Sequence, residues 1–157
     1  MLKQLSQELT TKKLITESEN KIPISEIVLH GQATGKTVSG AVLEAAVSWQ
    51  EFYLLFLSDD IPQEDMLNIH LLDINLSPLD SAVLGNIYST GSFSSLQLLQ
   101  PNRVGFRFIG DTDWLIELLP KPVLRFPFVT DPAGVRRRFG FSRYFKVYGN
   151  PQRQPAD

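Results

Sequence analysis

Gly35, Lys36 and Thr37 close the string LHGQATGKT (29–37) and give it the look of a phosphate-binding loop. Such a loop needs G-x-x-x-x-G-K-[ST]: backbone amides cradle the phosphates, the lysine reaches the terminal phosphate and the hydroxyl binds magnesium. Four residues must separate the two glycines, which would put the first at position 30. That residue is His30, and Gly31 leaves only three between. Further on, YLLFLSDD (53–60) imitates the acidic strand that holds magnesium, but Asp59-Asp60 leading into IPQED is also how an ordinary strand exits into a turn. Phosphate loops of this kind belong to α/β domains with crossover connections. Beyond Met66 no amphipathic stretch is long enough to be one. The expectation is a Gly-rich connection between two strands, and nucleotide hydrolysis is disfavoured.

The remaining chemistry-bearing residues are sparse. His30 and His70 are the only histidines, and there is no cysteine. No His pair at i, i+4, no EF-hand pattern and no H-x-E motif is present, so no metal and no cofactor is expected. In MLNIHLLDI, alternation that turns Leu67, Ile69 and Leu71 inward would turn His70 outward with Asn68 and Leu72. The serines offer no G-x-S-x-G elbow; STGSFSS (89–95) lacks the second glycine. Strand-borne carboxylates could pair only in three dimensions. The balance points away from an enzyme.

Two charged groups are candidates for meeting a partner. Asp59, Asp60, Glu64 and Asp65 form an acidic turn, which could bind calcium or a basic surface, or simply be solvated. Arg136, Arg137, Arg138 and Arg143 lie among Phe139, Phe141, Tyr144 and Phe145. Basic residues interleaved with aromatics can bind nucleic acid, but a pI near 5.7 argues against a dedicated nucleic-acid protein. Residues 1–100 hold five Lys or Arg against 12 Asp or Glu, while residues 101–157 hold ten against five. Opposite charge at the two ends can mark two binding faces, or let the arginines pair with the acidic first half.

The elements that must position these groups read as mainly β. With 157 residues, 43% hydrophobic and 20% charged, the chain is expected to be one domain over residues 1–150 with a disordered tail, 151–157. Its start, MLKQLSQELTTKK, lacks the apolar run of a signal peptide, and no segment is apolar enough to span a membrane. A soluble cytoplasmic protein is expected.

Leu2, Leu5 and Leu9 at helical spacing predict a short N-terminal helix. VSWQEFYLLFLSDD carries two apolar runs broken at Gln50-Glu51, the footprint of a hairpin. Short strands follow in MLNIHLLDI, LDSAVLG, FSSLQLLQ, VGFRFIG and WLIELL, with Val104, Phe106 and Phe108 inward and Arg103 and Arg107 outward. DPAGVRRRFG, with Asp131 as cap, Pro132 at the first helical position and Gly140 past the end, predicts a short C-terminal helix. RYFKVYG reads as a closing edge strand. The expected fold is an antiparallel β-sandwich or barrel-like meander with those two short helices.

The function this supports is a non-enzymatic module that binds another protein through a β-sheet face or the arginine-rich tail. A toxin-neutralising immunity-type protein is one form of it. The alternative is a small-molecule-binding or enzymatic β-domain with an internal pocket near Trp49, Tyr53, Tyr88 and Trp114. Long apolar strands such as YLLFL also admit a homodimer.

Overall fold

The computed structural model describes residues 1–14, 23–60, 66–85, 92–108, 112–124, 132, 134–137 and 142–149. Among these described residues thirteen strands form: β1 (Lys3–Leu5), β2 (Leu9–Lys13), β3 (Ile24–Leu29), β4 (Gln32–Ser39), β5 (Val42–Trp49), β6 (Phe52–Ser58), β7 (Leu67–Asp73), β8 (Pro78–Leu84), β9 (Ser94–Leu99), β10 (Arg103–Arg107), β11 (Asp113–Leu124), β12 (Val135–Arg137) and β13 (Ser142–Gly149). They make a six-stranded sheet in the order β1-β5-β6-β7-β8-β12, a four-stranded sheet β13-β11-β10-β9 and a three-stranded sheet β2-β3-β4.

The six-stranded sheet lies in the middle. Its residues Val47, Trp49, Leu54, Phe56, Ile69 and Leu71 pack with Val104, Phe106, Trp114, Ile116 and Phe145 of the four-stranded sheet. From its other face, Ala46, Leu55, Leu57 and Leu72 pack with Leu9, Ile27 and Val38 of the three-stranded sheet. Two covered faces explain why YLLFL is an unbroken apolar run: successive side chains point into different layers, and both layers are dry. A bulge between Leu43 and Ala45 adjusts β5 to the same demand. Leu43 joins the layer toward β2-β3-β4, whereas Ala45 joins the other.

The mainly β expectation is met, and so is the hairpin: β5 and β6 pair antiparallel from Trp49↔Phe52, with Gln50 at φ 53 in the turn. The two helices are not. Residues Lys3–Leu5 and Leu9–Lys13 are strands, paired with β5 and β3. Leucines three and four apart satisfy a helix face, but here Leu2 enters one core while Leu5 and Leu9 enter the other. At the other end, Val135–Arg137 adds an antiparallel strand to β8, through Val135↔Leu84, Arg136↔Val83 and Arg137↔Ala82. The open edge of β8 outcompetes the cap and proline signals of DPAGVRRRFG, and no helix occurs among the described residues. Consequently none is long and apolar enough to cross a membrane. The tail 151–157 lies outside the described residues.

β13 closes the four-stranded sheet at one edge, as RYFKVYG suggests. β11 runs further than WLIELL implies, through Pro120 and Pro122. Both prolines fall beyond Glu117, the last residue paired with β10, and within the register shift against β13 between Leu118 and Val123. A missing N–H there breaks no ladder bond.

Candidate interaction face

The lysine string sits in a hairpin. His30 and Gly31, at φ 50 and 80, make the two-residue turn from β3 to β4, as expected of a connection between strands. Gly35, at φ 75, lies inside β4 at a shift in register against β3. Its N–H donates to Glu26 Oε2 at 2.9 Å, and Thr34 Oγ1 donates to the Ile27 carbonyl at 2.6 Å. The Gly35 amide therefore already holds a carboxylate, in place of a phosphate.

His70 lies on the face away from Leu67, Ile69 and Leu71, but that face does not point outward as expected: Asn68 and Leu72 beside it are buried, and His70 turns toward the end of β4. Its Nε2 lies 2.9 Å from the Ser39 carbonyl oxygen and 3.2 Å from Ser39 Oγ. A carbonyl only accepts, so the shorter contact puts the proton on Nε2. A protonated Nε2 cannot take a proton from the Ser39 hydroxyl, and the pair is not an activated nucleophile in this state. Burial holds the His70 pKa below its ordinary value, against a smaller raising effect of the bond to Ser39. The polar chain continues from Ser39 Oγ to Asn68 Oδ1 at 3.4 Å and from Asn68 Nδ2 to Asp59 Oδ1 at 2.7 Å. No group of three or more His, Asp or Glu able to hold a metal occurs among the described residues.

Of the acidic turn, Asp59 is half-buried against Asn68, Asp60 is exposed, and Glu64 and Asp65 lie outside the described residues. The arginines separate. Arg136 is exposed on β12, and Arg138 lies outside the described residues. Arg137 turns inward, its side chain 5% exposed, and donates from Nη2 to Asp80 Oδ2 at 2.6 Å. Its guanidinium lies 4.3 Å from the Phe145 ring centre. Arg143 Nη1 stands 3.8 Å from Asp80 Oδ1, and the Tyr144 N–H donates to Oδ2 at 2.9 Å. Two of the four tail arginines thus pair with the acidic first half of the chain. Asp80 itself went unnoticed in the sequence. Its signal was parity: it shares a strand face with Ala82 and Leu84, so it had to be buried and matched.

Of the four aromatics named for an internal pocket, the three described do not share one layer. Trp49 and Trp114 are packed in the core between the six- and four-stranded sheets, with their Nε1 groups bonded at 2.9 Å to the Pro101 and Phe108 carbonyls. Tyr53 faces the opposite layer, and Tyr88 lies outside the described residues.

A more open feature is the outer face of the four-stranded sheet. Val104, Phe106, Trp114 and Ile116 point into the core, so Arg103, Gly105, Arg107, Asp113, Leu115 and Glu117 point out. Strand register arranges them in rows. One row runs Leu99, Arg103, Glu117, Lys146; the next runs Gln97, Gly105, Leu115, Tyr148; the third contains Arg107 and Asp113. Arg103 pairs with Glu117 at 3.2 Å and Arg107 with Asp113 at 2.9 Å.

Gly105 brings no side chain to the middle of the second row; its backbone is buried there, with Gln97 and Leu115 the nearest side chains. An open groove of about 700 Å³ lies there, bordered by Gln97, Leu99, Arg107, Leu115 and Tyr148. Leu99 and Tyr148 are 43% and 45% exposed. The adjacent edge strand β9 is bulged, with Ser95 at φ 56 where its register against β10 shifts. Bulges blunt an edge against strand addition, which leaves the face as the accessible surface here. Sequence reading placed Arg103 and Arg107 outward but passed over the glycine between them.

Comparison of the chain with protein-family models, with curated proteins and with solved structures finds no match. The fold and the residues on its surface are therefore the basis for a function.

Proposed function

We propose that the protein is a non-catalytic recognition module that binds another protein through the outer face of its four-stranded sheet. Gly105 is the observation that carries this. A glycine inside a strand costs about 0.5–1 kcal/mol relative to alanine. Here the backbone does not demand one, because Gly105 is not among the residues at positive φ. Neither does packing: a Cβ at Gly105 would have no neighbour closer than 3.8 Å. A strand glycine marks a bulge or a close approach of another molecule to the backbone; the register of β9 against β10 shifts between Gly105 and Arg107, and the groove beside the glycine favours the approach. Around it, Leu99, Leu115 and Tyr148 supply apolar contact and the Arg–carboxylate pairs supply a polar rim, the usual anatomy of a protein interface.

The face carries Arg103, Arg107 and Lys146 against Asp113 and Glu117. That near balance singles out neither a basic toxin nor nucleic acid as the partner. The groove's volume also falls within the small-molecule range, but it is open to solvent rather than enclosed, which suits a protein surface better.

The test is photo-crosslinking from position 97 in an extract of the native host. Wild-type protein should yield defined protein adducts, to itself or to another chain, and Gly105→Gln should remove them. Adducts unchanged by the glutamine, or none with the wild type, would reject this face as the site.

A further inference from the structure

We infer that the partner seated on this face is a second copy of the chain, in a twofold face-to-face dimer. The inference rests on the interaction-face reading above and adds the identity of the occupant. Its basis is that the face is complementary to itself in both charge and shape.

The charges stand in two columns. β10 presents Arg103 and Arg107, and the neighbouring β11 presents Glu117 and Asp113 in the same two rows. A twofold axis lying in the contact plane, along the strands and between β10 and β11, exchanges the columns. Arg103 then faces Glu117 of the second copy, and Arg107 faces its Asp113, each contact occurring twice by symmetry. An axis across the strands would instead bring Arg103 over Arg107 and Glu117 over Asp113. Like charges opposed in this way cost several kcal/mol in an interface, so the charge columns select the first arrangement.

The same axis matches the middle row to itself. Gly105 and Leu115 are register partners on β10 and β11. Exchange of the two strands lays Leu115 of each copy over Gly105 of the other, the one position of the row without a side chain. Gln97 comes over Tyr148, and Leu99 meets the stem of Lys146. A side chain at 105 would stand against Leu115 of the second copy, so glycine there favours the contact.

The area is modest. Four strands about 4.8 Å apart, five or six residues long at about 3.4 Å each, cover roughly 400 Å² per copy. This is about half of a standard interface, so the dimer is expected to form at micromolar concentrations or above.

The test is sedimentation equilibrium of the purified protein from 5 to 500 µM, with Arg103→Glu and Glu117→Arg as separate variants, each checked for fold by circular dichroism. The wild type should dimerise across this range. Each variant alone should associate at least tenfold more weakly, since it sets like charges opposite at two places. Mixed in equal amounts, the two should associate again. The carboxylate introduced at position 103 of one copy then faces the guanidinium introduced at position 117 of the other, and the two unchanged groups face each other with opposite charge. Gly105→Gln, with the charges untouched, should remain a monomer. A wild type monomeric at 500 µM, or variants that stay apart when mixed, overturns the dimer. If position 97 then crosslinks to a different protein and Gly105→Gln prevents it, the interaction face stands and only the identity of its occupant falls.

Discussion

Arg137 and Asp80, 57 positions apart in the chain, form an ion pair at 2.6 Å with 5% and 1% of their side chains exposed. The pair joins three strands at one corner of the molecule. Asp80 belongs to β8, Arg137 to the edge strand β12, and the Arg137 Nη2 also donates to the Phe145 carbonyl of β13 at 3.2 Å. The six-stranded sheet is thereby fastened to the four-stranded sheet. The fastening depends on the arginine from a segment whose composition suggested an outward, partner-seeking role.

Burial decides how much this pair matters. Arg137→Ala leaves the Asp80 carboxylate in the interior with its principal cation gone, and breaking a buried pair from one side costs about 3–5 kcal/mol. The pair Arg107–Asp113, at 48% and 77% exposure, has a similar distance but stands in water. Arg107→Ala should cost under about 1 kcal/mol. Urea unfolding of the two variants should separate their midpoints clearly. Equal midpoints would mean that Asp80 finds compensation elsewhere.

Gly40 and Gly105 should respond in opposite ways to alanine. Gly40 has φ 125, and a Cβ there would overlap the Leu57 Cβ. Backbone strain and overpacking add, so Gly40→Ala should destabilise by at least about 2 kcal/mol. Gly105→Ala meets no close atom and removes a flexible residue from a strand, so it should stabilise by up to about 1 kcal/mol. Thermal melts of both variants check this. A lower melting temperature for Gly105→Ala would show that the fold itself needs the glycine, and would undo the case for an approach site there.

His70 gives stability a dependence on pH whose sign follows from its burial. The folded pKa lies below the ordinary 6.5. As pH falls below 6.5 the unfolded chain takes up a proton that the folded chain resists, so the unfolded state gains. Stability should therefore fall from pH 7.5 to 5, the drop ending only once the folded pKa is passed. Glu8, whose pKa is lowered chiefly by the Ser6 N–H, titrates below its ordinary 4.5 and stays clear of this window. Urea unfolding at pH 7.5 and 5 should show a smaller drop for His70→Gln than for the wild type. Equal drops would assign the effect to other groups.

What the sequence made legible was local. Two apolar runs broken at Gln50-Glu51 needed only their own spacing to be a hairpin, and alternation in VGFRFIG was enough to send Arg103 and Arg107 outward. The failures involve distant strands. Leu2, Leu5 and Leu9 satisfy a helix locally, yet two separate cores draw them apart. Asp131, Pro132 and Gly140 satisfy helix capping, yet the open edge of β8, about fifty residues earlier, claims Val135–Arg137. Neither core nor edge exists until the sheets have formed, so no reading of the segments alone contains them. The groove over Gly105 stands between these cases: parity sent Arg103 and Arg107 outward and so fixed the face of the glycine between them, but the neighbours that bury it, Gln97 and Leu115, and Tyr148 beyond come from three other strands.

The GKT string closes a hairpin that resists phosphate by charge as well as by shape. A phosphate loop leaves its amides free to converge on an anion, whereas the Gly35 N–H is bonded to the Glu26 carboxylate at 2.9 Å. A phosphate arriving there would displace one anion while facing it. Lys36 is exposed on β4 and its N–H donates to Thr34 Oγ1 at 3.2 Å, another internal bond. Magnesium-ATP should therefore leave the melting temperature unchanged, and Lys36→Ala should leave that result unchanged. Glu26→Ala, by contrast, should cost about 0.5–1.5 kcal/mol through loss of the bond that steadies Gly35. A nucleotide at 100 times its dissociation constant would add about 2.7 kcal/mol of stability, several degrees for a domain of this size. A shift of that order, lost in Lys36→Ala, would mean that the hairpin opens to bind phosphate.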